Sequence, residues 1–217
     1  FTGAAIPTGS DAVEWQENVE REGDLVKITT PVGVGKSIRY QGSDLGIGEL
    51  VLTEGTILHP GELALLASMG RSFIQVSQQP RVAVVSCGTE LVEIDQIPEL
   101  GQIIGTNRYA LSAQVRNAGG DPKMYPIAPD QQDSLRSLLK EGLKADILVT
   151  SGGVSVGDYD LVRPTLEELG VEPKFWKVAV KPGKPVSFGV YQGKMVFGLP
   201  GNPVSAMVSF ELFVRPA

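Results

Sequence analysis

From Arg81 onward, short continuous apolar runs alternate with glycine-rich loops and helix-length segments, and this rhythm limits the possible folds more than any other feature of the sequence. Val82-Ala83-Val84-Val85 and Ile147-Leu148-Val149-Thr150 lack polar alternation, as expected of strands covered on both faces. Between and after them the pattern turns helical. Asn107 to Asn117 carries Leu111 and Val115 and is stopped by Gly119-Gly120, and Lys123 to Ile127 reads as a strand. Asp130 suits the cap of a helix over Gln131 to Leu143, with Asp133 favourably placed in its first turn. A helix over Asp160 to Leu169 ends at Gly170. Strands follow near Trp176–Val180, Val186–Val190 and Met195–Leu199, and a last helix over Pro203 to Phe213. The alternation predicts an α/β fold: a three-layer, mainly parallel sheet with helices on both faces. Ligands of such sheets sit beyond the carboxyl ends of the strands.

The preceding segment differs. Residues 1 to about 58 read as β-rich, with Ala12–Trp15 and Leu25–Ile28 as short β-prone runs separated by the polar turn Arg21-Glu22-Gly23-Asp24. Glycines at 33, 35, 42, 46, 48 and 55 mark tight turns. A helix is expected from Pro60 to Met69, with Leu63, Leu66 and Ala67 on one face and Gly70 as its stop. Phe73 to Val76 reads as a strand, and Gln78-Gln79-Pro80 as a linker.

Bulk properties narrow the function. The 217 residues suffice for one good core and a smaller unit. Net charge is −6 with no Lys/Arg run, which argues against nucleic acid and acidic membrane surfaces as partners. No apolar run reaches the roughly 18 residues of a membrane span. Cys87 is the single cysteine, so no intrachain disulfide can form, and a reducing compartment fits. The chain opens at Phe1-Thr2-Gly3 without a Met and reads as an excised piece, which leaves an upstream targeting segment open.

Three loops at strand ends carry candidate chemistry. The first is Ser86-Cys87-Gly88-Thr89-Glu90-Leu91, where a small residue, a glycine and an acid can hold a ligand hydroxyl or a metal. A glycine turn with an exposed Glu explains it equally well. The second runs from Ser151-Gly152-Gly153 through Val154-Ser155-Val156-Gly157 to Asp158-Tyr159-Asp160. Its glycines let backbone amides approach an anion, and Thr150, Ser151 and Ser155 add hydroxyls. Asp160 fits either a helix cap or a Mg²⁺ ligand beside a phosphate. The third is Leu199-Pro200-Gly201-Asn202-Pro203-Val204-Ser205, with Asn202 as N-cap and Pro203 as first helical residue. Such a helix start can bind an anion or simply begin a helix.

Lys177 and Lys181 lie four apart, on one face if Trp176–Val180 is a strand, and Lys184 follows a Pro-Gly turn. They suit a nearby anion, or they are solvated edge-strand lysines. His59 reads as a surface residue. There is no zinc spacing, nucleophile elbow, Walker motif or dinucleotide glycine motif, so covalent Ser or Cys catalysis is disfavoured. Cys87 has no cationic or His neighbour in sequence to activate its thiol.

In order, these loops resemble the molybdopterin molybdenumtransferase (molybdenum insertase) family, which includes the equivalent domain of gephyrin. The matching stretches are Thr2-Gly3-Ala4, Asp11-Ala12-Val13, residues 39–44, 86–91, Asn107, 150–160, 176–185 and 199–205. The Ser-Gly-Gly-Val-Ser-Val-Gly, Lys-Pro-Gly-Lys-Pro and Leu-Pro-Gly-Asn-Pro-Val-Ser strings are the specific ones. The resemblance implies a four-domain, cytoplasmic homodimer. It would move molybdenum from molybdate onto adenylylated molybdopterin, with Mg²⁺ and release of AMP, downstream of a molybdopterin adenylyltransferase. It divides the chain into 1–37, part of a β-rich domain; 38–80, a strand-and-helix piece of an elongated domain; and 81–217, the molybdopterin-binding domain. An N-terminal helical part and a C-terminal β-barrel domain would be missing.

By the same resemblance, functional positions fall on Thr2, Asp44, Glu90, Asp130, Asp160, Lys177 and Lys181. Asp160, Glu90, Lys177, Lys181 and Asp130 are the implied catalytic set, and Asp160, Asp44 and Glu90 the implied metal ligands. The pterin nucleotide would be held by Thr2, Ser86, Gly88, Ser151, Gly152, Gly153, Ser155, Lys184, Pro200, Gly201, Asn202 and Ser205. The family usually has Ser-Thr-Gly-Asp-Glu-Leu in the first loop; here Cys87 and Thr89 stand in place of Thr and Asp, so one carboxylate beside Glu90 is absent. A molybdopterin adenylyltransferase is a rival reading, but its loop usually continues Gly-Thr-Gly, and a β-rich segment precedes the loop here. A non-catalytic, gephyrin-like scaffold is the other rival, and it has no need of Glu90, Asp160, Lys177 and Lys181.

Overall fold

The structure is a computed structural model and describes residues 1–129, 131–153 and 161–217. They form two compact units, Phe1–Ile74 and Gln75–Ala217.

In the first unit, Val19–Glu22 (β1) and Leu25–Ile28 (β2) make an antiparallel hairpin closed by Gly23-Asp24. The run Ala12–Trp15 does not form a strand. It is clasped locally instead: Val13 N–H donates to Lys36 O at 3.0 Å and Gly35 N–H to Asp11 O at 2.7 Å. Beside this clasp the Lys36 ammonium bonds the Glu14 carboxylate and pulls its pKa from the usual 4.5 to about 2. Pro60–Ser68 is a helix (α1) with Pro60 at its first position and Glu62 Oε2 accepting from His59 N–H at 2.9 Å. His59 is exposed, as expected, but Phe73–Val76 is not a strand. No residue of this unit is buried, and Trp15 and Phe73 keep 62% and 94% of their surface.

The second unit carries the sheet. Its strands are Arg81–Ser86 (β3), Leu91–Val92 (β4), Ile103–Ile104 (β5), Asp121–Met124 (β6), Ile147–Ser151 (β7), Glu172–Trp176 (β8), Ser187–Tyr191 (β9) and Lys194–Leu199 (β10). Its helices are Asn107–Asn117 (α2), Gln132–Gly142 (α3), Val162–Glu168 (α4) and Pro203–Ser209 (α5), the last continuing as a π-helical turn over Phe210–Val214. The main sheet has the order β6-β3-β7-β10-β9-β8. Neighbours from β6 to β10 are parallel, and β9 alone runs against the rest.

Strand alternation splits the core into two layers. Ala83, Val85 and Leu148 face Leu135 and Leu139 of α3 and Val162 and Leu166 of α4. Val82, Val84, Val149 and Phe197 face Leu111 and Val115 of α2, then Ala206 and Phe210. Each fully buried Leu or Phe contributes about 1.5–3 kcal/mol of transfer free energy. The expected three-layer, mainly parallel architecture therefore holds.

Several expectations shift in detail. The strand expected over Lys123–Ile127 lies earlier, at Asp121–Met124, where it pairs with β3. The helix expected from Gln131 begins at Gln132, and its expected cap, Asp130, lies outside the described residues. The last helix changes to π geometry at Phe210 rather than staying α-helical to Phe213. The strand expected over Trp176–Val180 ends at Trp176, because Lys177 takes φ +68° and turns the chain. Lys177 N–H then donates to Val186 O and Val178 N–H to Lys184 O, which folds the segment back into β9. Lys177 and Lys181 therefore do not share a strand face.

Candidate functional site

Register decides where the loops go. Ser86 of β3 pairs with Ser151 of β7, and Leu199 of β10 pairs with the same Ser151. The carboxyl ends of three strands are thus level and adjacent, and their loops line one cavity of about 610 Å³. Ser86, Cys87 and Glu90 come from the first loop, Ser151, Gly152 and Gly153 from the second, and Pro200–Pro203 with Ser205 from the third. Leu91, residues 103–107 and Pro185 complete the wall.

Close backbone approach locks these loops together. Cys87 N–H donates to Ser151 O at 2.8 Å, and Gly152 N–H to Leu199 O at 3.2 Å. Gly152 has φ +84°, and a Cβ there would overlap the Cys87 carbonyl oxygen. A Cβ on Gly201 would come within 3.6 Å of Gly152 Cα, so the second and third loops also touch. Asn202 caps α5 as its position suggests, its Oδ1 accepting from Ser205 N–H at 3.2 Å.

The hydroxyls expected to serve a ligand have other work. Thr150 Oγ1 donates to Phe197 O at 3.4 Å, and Ser151 Oγ donates to Pro200 O at 3.2 Å. Both stitch β7 to β10. Ser86 Oγ, by contrast, is buried with no hydrogen-bond partner among the described residues.

Nine of the expected site residues line the cavity: Ser86, Glu90, Ser151, Gly152, Gly153, Pro200, Gly201, Asn202 and Ser205. Gly88 lies in the same turn, with the Glu90 carboxylate folded back to 2.5 Å from where its Cβ would be. Lys177, Lys181 and Lys184 are exposed and are not part of the lining. Lys177 Nζ sits 4.0 Å from the centroid of the Trp176 ring, a cation–π contact. Lys181 and Lys184 flank a turn pinned against the last helix, where a Cβ on Gly183 would lie 2.6 Å from Ser209 Oγ. Thr2 and Asp44 belong to the first unit, where Arg39 Nη1 holds the Asp44 carboxylate at 3.0 and 3.2 Å. Asp130, Ser155 and Asp160 lie outside the described residues.

Among the wall residues given no role from the sequence, one makes contacts across the cavity. Asn107, the first residue of α2, donates through Nδ2 to Ser151 Oγ and to Gly201 O, both at 2.7 Å. It ties the second loop to the third. A polar residue at a helix start looks like an ordinary cap, and nothing local signals its reach to two distant strand ends.

Comparison with known proteins accounts for the whole chain. Residues 83–217 match a family described as "probable molybdopterin binding domain", and residues 1–70 match "MoeA N-terminal region (domain I and II)". The chain belongs to the molybdopterin molybdenumtransferase family. It is 38% identical to the molybdopterin molybdenumtransferase of Nostoc sp. and 39% identical to that of Haemophilus influenzae, in each case over 100% of this chain. It covers 50% and 54% of those proteins, so it spans about half the length of the curated relatives it matches. The solved molybdopterin biosynthesis MoeA protein of Pyrococcus horikoshii OT3 superposes with a TM-score of 0.77 at 33% identity, over 99% of this chain and 52% of that one. The cavity thus lies wholly within the molybdopterin-binding part of the family's fold. Among the described residues no three His, Cys, Asp or Glu side chains cluster as a metal site, and no helix is long and apolar enough to cross a membrane.

Proposed function

We propose that this chain is the pterin-nucleotide-holding part of a molybdenum cofactor assembly enzyme. The whole protein inserts molybdenum from molybdate into adenylylated molybdopterin, with Mg²⁺, and releases AMP. The observation that carries this reading is the convergence of three strand-end loops on one cavity in a chain of this family. Its volume lies in the range of small-molecule sites, roughly 300–1,000 Å³. Its glycine turns, and the few polar side chains set in a mostly apolar wall, suit a ligand with phosphate and heterocyclic parts.

In this reading the glycine turn at 151–153 and the helix start at Asn202 hold the ligand, with Gly88, Ser155 and Thr2 as further contacts. Lys177, Lys181 and Lys184 neutralise its charge. The turn at 181–185, whose Pro185 is part of the cavity wall, supports that role for the lysines. Glu90 and Asp130 position ligand or metal and are not nucleophiles.

Mg²⁺ is commonly held by one or two carboxylates together with substrate phosphates, so a full protein cage is not required. Glu90, the one acid among the described lining residues, fits such a shared site. Asp44, whose carboxylate Arg39 engages, is a second candidate ligand. Asp160 is the third candidate ligand. When bound, Mg²⁺ stabilises charge on the departing phosphoryl group.

The chain divides in this reading at 1–37, 38–80 and 81–217. The complete protein is a cytoplasmic homodimer supplied by a molybdopterin adenylyltransferase. Titrating the chain with adenylylated molybdopterin tests binding, and supplying the complete protein with molybdate and Mg²⁺ while following AMP by chromatography tests release. The wild type is expected to bind the pterin nucleotide, and Asp160→Ala to impair AMP release more than binding. A wild-type chain that binds no pterin nucleotide refutes the function, whereas equal loss of binding and release refutes the role of Asp160.

A further inference from the structure

Two residues of the cavity wall each carry a buried polar atom with no described partner, and together these atoms bear on which end of a ligand belongs there. Both amide hydrogens of Asn107 are engaged, one with Ser151 Oγ and one with Gly201 O. Gly201 O can only accept, so the amide cannot be turned over, and Oδ1 is fixed as an acceptor. That Oδ1 is buried and accepts nothing from any described residue. Ser86, at the end of β3, is 1% exposed, and its Oγ is likewise buried without a described partner. Both residues line the same cavity. A buried acceptor left unmatched is costly and calls for an explanation, and at a cavity wall a donor supplied by a ligand is one.

Resting on the function proposed above, we propose that Asn107 and Ser86 form a subsite for the N–H edge of a flat nitrogen heterocycle. Phosphate oxygens and thiolate sulfurs present only lone pairs, so they are repelled by Asn107 Oδ1. A pterin ring carries an amino group and ring N–H donors, and an adenine ring carries an amino group. The ligand therefore enters with a ring edge against α2 and Ser86, and its phosphates lie elsewhere in the cavity.

Ser86→Ala isolates the contact, because that hydroxyl serves no described protein group. Its melting temperature is expected to match or exceed the wild type, while affinity for adenylylated molybdopterin falls about threefold to tenfold, the loss of one neutral hydrogen bond. Asn107→Ala should lower affinity at least as much and also lower the melting temperature, since it removes two bonds within the wall. Competition with 6-hydroxymethylpterin, adenosine and inorganic pyrophosphate locates the contact. Weakened competition by the pterin in both variants, with pyrophosphate unchanged, supports the subsite with the pterin ring as occupant. The same pattern for adenosine supports it with adenine as occupant. Unchanged affinity in both variants overturns the subsite, as does a loss confined to pyrophosphate, while the function itself stands. A wild-type chain that binds no pterin nucleotide overturns both.

Discussion

Gly152 offers the sharpest test of how the cavity is held. Its φ of +84° puts an L-residue in the left-handed region, which costs about 1–2 kcal/mol. The added methyl of Gly152→Ala also meets the Cys87 carbonyl oxygen, a backbone atom fixed by the bond from Cys87 N–H to Ser151 O. Overpacking of this kind adds roughly 1–3 kcal/mol, for a total of about 2–5 kcal/mol. Gly119, just past the end of α2, provides the control. Its φ is +90° and a Cβ there meets nothing within 4 Å, so Gly119→Ala carries only the backbone cost of about 1–2 kcal/mol. Urea unfolding followed by far-ultraviolet circular dichroism measures both. With a slope of roughly 1–3 kcal/mol per molar urea, the Gly152 variant should unfold about 1 M earlier than the Gly119 variant. Equal midpoints would show that the Cys87 carbonyl can withdraw freely, and the idea of loops locked by close approach would fail.

Two further outcomes follow from the packing. Arg81 and Asp146 join the starts of β3 and β7 through guanidinium bonds at 3.0 Å, which together with the Arg81 N–H pull the Asp146 pKa from the usual 3.8 to about 2. A depressed carboxylate pKa stabilises the fold above the unfolded value and loses that contribution as pH falls through the folded one. Comparing Asp146→Asn with the wild type by urea unfolding should therefore show a deficit that is constant from pH 7 to about 5 and shrinks between about 4 and 2. The side chain is 43% exposed, so the deficit is expected to be about 1 kcal/mol or less. Phe210, 1% exposed, is the largest fully buried side chain among the described residues; Phe210→Ala should cost about 3–5 kcal/mol in the same assay, and a cost below 1 kcal/mol would contradict its place in the core.

The sequence was most legible where the signal is local. The apolar runs at 82–85 and 147–150 announced doubly covered strands, and both are central in the sheet. Asn202-Pro203 announced a capped helix start, and Asn202 Oδ1 makes the capping bond. Runs without a partner were misleading. Ala12–Trp15 and Phe73–Val76 have the composition of strands, yet no neighbouring strand pairs with them. The lysine spacing misled for a related reason: Lys177 turns the chain with φ +68°, so the even spacing to Lys181 never becomes a shared face.

What the sequence alone determined is the inventory: which segments are strands buried on both sides, which loops hold glycine, and that these loops follow strands. What only the tertiary structure decided is their meeting. Ser86, Ser151 and Leu199 are level because hydrogen-bonded register aligns strands far apart in the chain, and register is a property of the assembled ladder. Asn107 takes its role in the same way, reaching residues 44 and 94 positions away, a contact that no local periodicity encodes.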